Sequence, residues 1–189
     1  VDLSVRDDFS TVTYNLYSVD SRSFHSYTDY YFPDGALEKH PNCELYKGWV
    51  KAGYLKLCKG DIIDYQQIVD DILKMANYLC IMGIGYDPYK SAEFVNLLSS
   101  SVGGEADIIN PVKQTYGTFT SPVESFEIAI YSNKISFDPN PITPYCFANA
   151  ILDEDRNCNK KPIKKTHNAK IDSTITNLMT FHLFNNLTS

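Results

Sequence analysis

A single α/β domain built on a mixed sheet is the fold class this sequence predicts, and three stretches predict it. Residues 10–18 alternate Val12, Tyr14 and Leu16 with Thr11, Thr13 and Asn15, the period of two that marks a half-buried strand. Residues 79–84 (Leu-Cys-Ile-Met-Gly-Ile) are apolar without alternation, as in a strand covered on both sides near the parallel centre of a sheet. Ile171, Ile175, Leu178, Met179 and His182 fall on one helical stripe, predicting a closing helix over 172–184.

The remaining elements follow in order. Residues 1–5 read as the end of a strand whose upstream half is expected outside this stretch, with Asp2 set between Val1 and Leu3. An unpaired buried charge is costly, so a carboxylate there is either badly placed or functional. Arg6-Asp7-Asp8 predicts a turn, and the aromatic alternation of 23–32 completes an antiparallel meander of three strands. Residues 33–42 read as loop, 44–52 as a short helix carrying Trp49 and stopped by Gly53, and 54–57 as a short strand. Asp64-x-x-Gln67 is a capping-box pattern opening a helix with Ile68, Ile72, Met75, Ala76 and Leu79 on its apolar face. The central run then breaks at Gly85-Tyr86-Asp87-Pro88, and a helix from Ser91 buries Phe94, Val95, Leu97 and Leu98 before Val102-Gly103-Gly104. Residues 106–114 predict a strand that Pro111 confines to an edge or an end. Ser121-Pro122-Val123-Glu124 reads as a helix start, burying Val123, Phe126 and Ile130. Asn140-Pro141 marks a break, 144–151 ends as helix, and 152–162 is read as a loop of acids followed by bases.

Composition narrows the function classes. The chain has 189 residues, 43% of them hydrophobic, enough for one domain with a sizeable core and too many for wholesale disorder. No apolar run approaches the roughly 20 residues that cross a bilayer, and no signal peptide is visible. The five cysteines form no C-x-x-C pair, and Cys80 lies in the apolar run, so reduced thiols are expected rather than a disulfide framework or a zinc site. Without a secretory route the Asn186-Leu187-Thr188 sequon carries no meaning. A dinucleotide fingerprint and a nucleophile elbow are both missing, and no Cys/His spacing points to covalent catalysis. The net charge of −6 argues against coating nucleic acid non-specifically. Yet 156–171 holds six of the 17 basic residues and no acid, directly after Asp153-Glu154-Asp155. That segment is either an anion-facing surface or a solvated lysine loop.

Three acids sit where this topology can bring them together: Asp2 on the first strand, Asp87 after the central run and Asp172 at the start of the last helix. Strand ends of an α/β sheet open into the crevice where chemistry is done. Two of the acids also have a plain alternative, Asp87 as a turn residue before proline and Asp172 as a helix cap. Clustered carboxylates repel one another unless a hard cation lies among them. Two such ions about 3.5–4 Å apart would clamp a phosphodiester.

The segments Val1-Asp2-Leu3-Ser4 with Asp8-Phe9-Ser10-Thr11, the block from Trp49 to Tyr65, Gly85-Tyr86-Asp87-Pro88-Tyr89, Asn140-Pro141 followed by Asn149, and Lys170-Ile171-Asp172 occur in one order. In that order they resemble the nuclease domain of the tailed-phage terminase large subunit. The resemblance covers nearly the whole chain and implies an RNase H-like fold, with three antiparallel strands followed by parallel ones and helices on both faces. It implies a metal-dependent endonuclease that cuts concatemeric viral DNA, using Mg²⁺ or Mn²⁺ in a two-metal site. Asp2, Asp87 and Asp172 match the family's metal-binding acids and Asp8 an auxiliary acid, with which Asp7 does not align. The partners implied are double-stranded DNA and, in the full-length protein, an ATPase domain, the portal and the small terminase subunit, within the host cytoplasm and away from membranes. The chain is expected to be one nuclease domain over 1–189, monomeric in isolation. It has no G-x-x-x-x-G-K-[ST] loop, so translocation would belong elsewhere.

Physical inference adds Lys164, Lys165 and Lys170 as contacts to the DNA backbone. His167, five residues before Asp172, is either a further contact or a solvated loop residue. Ser173-Thr174-Ile175-Thr176 is bulkier than the small residues expected after the last acid. Two rivals stay open: a non-catalytic RNase H-like domain that docks portal or DNA, and a resolvase- or transposase-like strand cutter.

Overall fold

The computed structural model describes residues 1–6 and 8–188, with only the backbone given for 104–106; Asp7 of the expected turn lies outside the described residues. β1 (Ser10–Ser18) and β2 (Ser23–Pro33) form an antiparallel hairpin pairing Ser10 with Tyr31 and Ser18 with Ser23. Along the far edge of β2 run two short parallel strands, β3 (Lys56–Cys58) and β6 (Ile135–Phe137). The free edge of β1 meets the first residues of the chain. Asp2 N–H donates to the Thr11 carbonyl at 3.0 Å, and Thr11 N–H to the Asp2 carbonyl at 2.8 Å. In extended chain, neighbouring residues turn their backbone groups to opposite sides. Val1 accordingly faces away from β1, and its nitrogen donates to the Gly85 carbonyl at 2.6 Å. Gly85 belongs to β4 (Ile84–Tyr86), which pairs in parallel with β5 (Ile109–Pro111). The Val1–Gly85 bond places the β4–β5 pair beside residues 1–2, next to a sheet of β1 and β2 with β3 and β6 on the far side of β2; β1–β2 is antiparallel, and β4–β5, β2–β3 and β2–β6 are parallel. The first antiparallel segment is reduced to one bridging residue, Asp2.

Alternation along β1 sorts the layers. Val12 and Tyr14 enter a core with Ile68, Val69 and Ile72 of α3 (Tyr65–Ala76) and Phe94 and Leu98 of α4 (Ala92–Val102). Thr13 and Asn15 bond instead to α7 (Asp172–Leu187), so the strand's polar face is covered rather than solvated. Beside α7 lies α5 (Tyr116–Tyr131), whose Phe119, Val123 and Phe126 share a core with Ile175, Leu178 and Met179. A third core gathers Phe9, Tyr30 and Phe32 with Leu37 of α1 (Asp34–Leu37), and with Tyr46 and Trp49 of α2 (Cys43–Lys51), stacked at 5.3 Å. Asn140 ties that core to the loop before α6 (Ile142–Ala148), donating to the Tyr54 carbonyl and accepting from Ile142 N–H. No helix among the described residues is long and apolar enough to cross a membrane.

Several local expectations are corrected. Of the apolar run only Ile84 is strand, with Gly85 and Tyr86 of the expected break completing β4, because only these residues find a ladder partner; Cys80 and Met82 are exposed. Residues 34–37 add a helical turn within the expected loop, and 103–108 a 3₁₀ turn before β5. Pro122 lies inside α5 rather than at its start, and Thr115 caps the helix by accepting Thr118 N–H at 3.2 Å. A proline at 122 cannot serve the carbonyl of residue 118; His182 of α7 hydrogen-bonds that carbonyl instead. Ile130 is exposed, its place taken by Ala129. The acid-then-base segment is no loop but a hairpin of β7 (Ala150–Glu154) and β8 (Lys160–Lys164), with Asp153 opposite Lys161 and Glu154 opposite Lys160. Its turn is closed by the Asp155 carboxylate, which accepts N–H bonds from Asn157 and Asn159.

Candidate functional site

Four different pieces of chain bring Asp2, Asp8, Asp87 and Asp172 to one region, and hydrogen bonds between α7 and β1 set their level. Thr176 pairs with Thr13 at 2.6 Å and Thr180 with Asn15 at 3.1 Å. Four helical residues rise about 6 Å and two strand residues about 6.8 Å, so helix and strand climb in step. One step further down, Asp172 falls level with Thr11, the bridge partner of Asp2. Ser26 adds a bond to Asn177 at 2.7 Å, and Asn177 donates back to the Ser173 carbonyl. The bulky polar residues after Asp172 are therefore what seats the helix. A stripe of apolar residues alone would let it slide.

The acids act on one another. Burial, with the charges of Asp87 and Asp8, raises the Asp2 carboxyl to about 7, against the amino group of Val1 and a bond from Gln114 Nε2 at 3.2 Å. Asp172 is held well above the usual carboxylate range, first by burial and then by Asp8 and Asp2. As first residue of α7 its carboxylate takes a bond from its own backbone N–H, while its Oδ2 is buried without a hydrogen-bond partner. Asp87, just beyond β4, does accept Tyr89 N–H at 3.0 Å, so its turn role is real and coexists with its place beside Asp2. Among the described residues, no three acidic, histidine or cysteine side chains close on a common point as they stand.

Two lysines explain part of that openness. Lys164 Nζ lies 2.8 Å from Asp8 Oδ2 and Lys170 Nζ 2.5 Å from Asp8 Oδ1. Both were expected on DNA phosphates; both are turned onto an acid 156 and 162 residues away in sequence. Lys165 and His167 are exposed on the connection to α7, with His167 beside Asn168 at 3.2 Å, and neither joins the carboxylates. Gln114 carries no sequence signal. It reaches Asp2 because Val112 N–H extends the β4–β5 ladder onto the Tyr86 carbonyl at 2.7 Å. All-oxygen carboxylates in mutual repulsion, one with an orphaned buried oxygen, are a donor set that suits a hard divalent cation.

Comparison with known proteins identifies the family. The family model described as terminase large subunit, endonuclease domain, matches residues 1–186. Protein YmfN of Escherichia coli (strain K12) is 28% identical over 173 residues, spanning 87% of this chain and 36% of its own length. Among solved structures, the HK97 bacteriophage large terminase superposes with a TM-score of 0.85 at 20% identity, over 96% of this chain and 38% of that one. The large terminase nuclease from thermophilic phage G20c gives 0.61 at 6% identity, over 95% and 77%. This chain thus spans under two-fifths of YmfN and of the HK97 protein, and its fold is the RNase H-like fold of terminase nucleases. The chain belongs to the terminase large-subunit endonuclease family.

Proposed function

We propose that this domain is a divalent-metal-dependent DNA endonuclease that cuts concatemeric viral DNA during genome packaging in the host cytoplasm. The observation that carries the reading is the set of four neighbouring carboxylates, with Asp2 and Asp172 raised by burial and by the other acids despite two lysines and the Val1 amino group. Asp2, Asp87 and Asp172 would hold Mg²⁺ or Mn²⁺, with Asp8 as the auxiliary ligand. A bound pair of ions supplies Lewis acidity that activates water and steadies the departing 3′ oxygen. The chain's own residues do the rest. Gln114 orients Asp2, the α7–β1 bonds hold Asp172 level with it, and Lys164 and Lys170 add positive charge where a phosphate would lie. Lys165 and Arg156 extend that charge along the exposed hairpin and its exit, matching a duplex backbone. ATPase, portal and small-subunit partners belong to the longer protein in this proposal.

The docking-domain reading requires the acids to be mere caps. Asp87 fits that role, whereas Asp172 keeps a buried oxygen without a partner, which a cap alone does not account for. The test is nicking and linearisation of supercoiled plasmid in Mn²⁺ or Mg²⁺, beside Asp87→Ala and an EDTA control. Cutting by the parent alone supports the endonuclease. Equal cutting by parent and variant, or silence in both metals with no calorimetric ion binding, leaves docking as the reading.

A further inference from the structure

We propose that Lys164 is an exchangeable counter-ion: it holds Asp8 until a phosphodiester arrives, then moves to the phosphate, so that DNA binding tightens the site's hold on divalent metal. The proposal rests on the endonuclease reading and deepens it.

The two lysines on Asp8 are not equivalent. Lys170 is 7% exposed and sits two residues before Asp172, anchored beneath the cluster. The Lys164 side chain is 35% exposed, at the very end of β8, where an exposed run through 165–168 follows. One ammonium is therefore built in, while the other reaches its acid from the solvent side. Between them they occupy both oxygens of Asp8, at 2.5 and 2.8 Å. A carboxylate so neutralised is a poor ligand for a cation, and an ammonium left beside the site repels one. A phosphodiester offers Lys164 an acceptor of the same charge, so the swap leaves Lys164 paired while freeing one Asp8 oxygen. The four carboxylates would then face one lysine ammonium fewer. By linkage, whatever DNA does to metal affinity, metal does equally to DNA affinity. A domain that captures metal firmly only on DNA would be restrained from cutting when no strand is seated. The competing view is a static ion pair that merely ties the β7–β8 hairpin to residue 8.

Calorimetric titration of the whole chain with Mn²⁺, with and without a short phosphorothioate duplex that resists cleavage, separates the two. Lys164→Met keeps the stem and removes the charge at an exposed position. Without DNA it should bind Mn²⁺ about fivefold more tightly, the scale of one partly exposed ion pair. The duplex should strengthen Mn²⁺ binding by the parent by a similar factor and leave the variant unchanged, and Asp8→Asn should be indifferent to the duplex. Unchanged or weaker Mn²⁺ binding by Lys164→Met, or a parent insensitive to the duplex, overturns the exchange. Asp2→Asn keeps the two ideas apart. If it abolishes Mn²⁺ binding, the metal site stands whatever Lys164 does; if it binds as the parent does, site and exchange fall together.

Discussion

Two carboxylate clusters within this one small fold have opposite electrostatic designs. On the α3 side of the sheet, Lys56 lies 2.9 Å from Asp29 and 2.8 Å from Asp71, Lys74 lies 2.9 Å from Asp71, and the Tyr27 and Tyr31 hydroxyls donate to the same two acids. Two negative charges meet two positive ones. Burial works to raise the Asp71 carboxyl, but the bonds from Lys56 and Lys74 outweigh it and hold it below the ordinary value. Beside the N-terminus of α7, Asp2, Asp8, Asp87 and Asp172 meet Lys164, Lys170 and the amino group of Val1, and the Asp2 and Asp172 carboxyls rise instead. The first cluster is complete without any ligand. The second carries more acids than positive groups, and on the proposed endonuclease reading a divalent cation would make up the difference.

Substitutions that break this contrast should have opposite consequences. Asp2→Asn should lower plasmid cleavage at least about a hundredfold, the loss expected on removing a metal ligand, while the far-ultraviolet spectrum stays that of the parent. Lys56→Met should do the reverse. It leaves buried Asp29 and half-buried Asp71 short of a cation and should cost about 2 kcal/mol in urea unfolding, below the usual range for a buried pair because the lysine is 36% exposed. Cleavage per folded molecule should be unchanged. A smaller effect is expected of Asp172→Asn in metal-free protein, where relief of repulsion should stabilise the fold by about 1 kcal/mol and abolish the rise in melting temperature that Mg²⁺ brings to the parent. A loss of stability there would mean that Asp172 is a structural residue after all.

The smallest effect concerns acid. A carboxylate whose folded value is depressed contributes stability above its unfolded value, and that contribution disappears as pH falls through the folded one. Asp71 should therefore steepen the fall in urea midpoint below pH 3.8, and Asp71→Asn should flatten it. Identical acid profiles for parent and variant would show the first cluster to be less tightly paired than its distances imply.

Much of this was legible in the chain. β1, β2 and α7 follow from periods of two and of 3.6 carried over nine or more residues, long enough for the pattern to outvote local accidents. The apolar run at 79–84 is too short for that, and a run of six cannot say whether both its faces will be covered. Pro122 misled because a proline suits the first turn of a helix, yet is tolerated inside one when a side chain such as His182 takes up the carbonyl it strands. The hairpin at 150–164 was hidden by its charges, which read as solvated loop until acids and lysines are seen in register across two strands.

The sequence by itself determined which residues are acids, that they fall at the ends of predicted elements, and that motifs in a fixed order announce a terminase nuclease. These are local properties, set by residue type and spacing. Only the tertiary structure decided that Thr13 and Thr176 bring Asp172 level with Asp2, that Gln114 reaches across to steady it, and that Lys164 and Lys170 face Asp8 before they face DNA. Those partners lie 112 to 163 residues apart. Contacts that distant are chosen by the folding of the whole sheet, which no window of neighbouring residues contains.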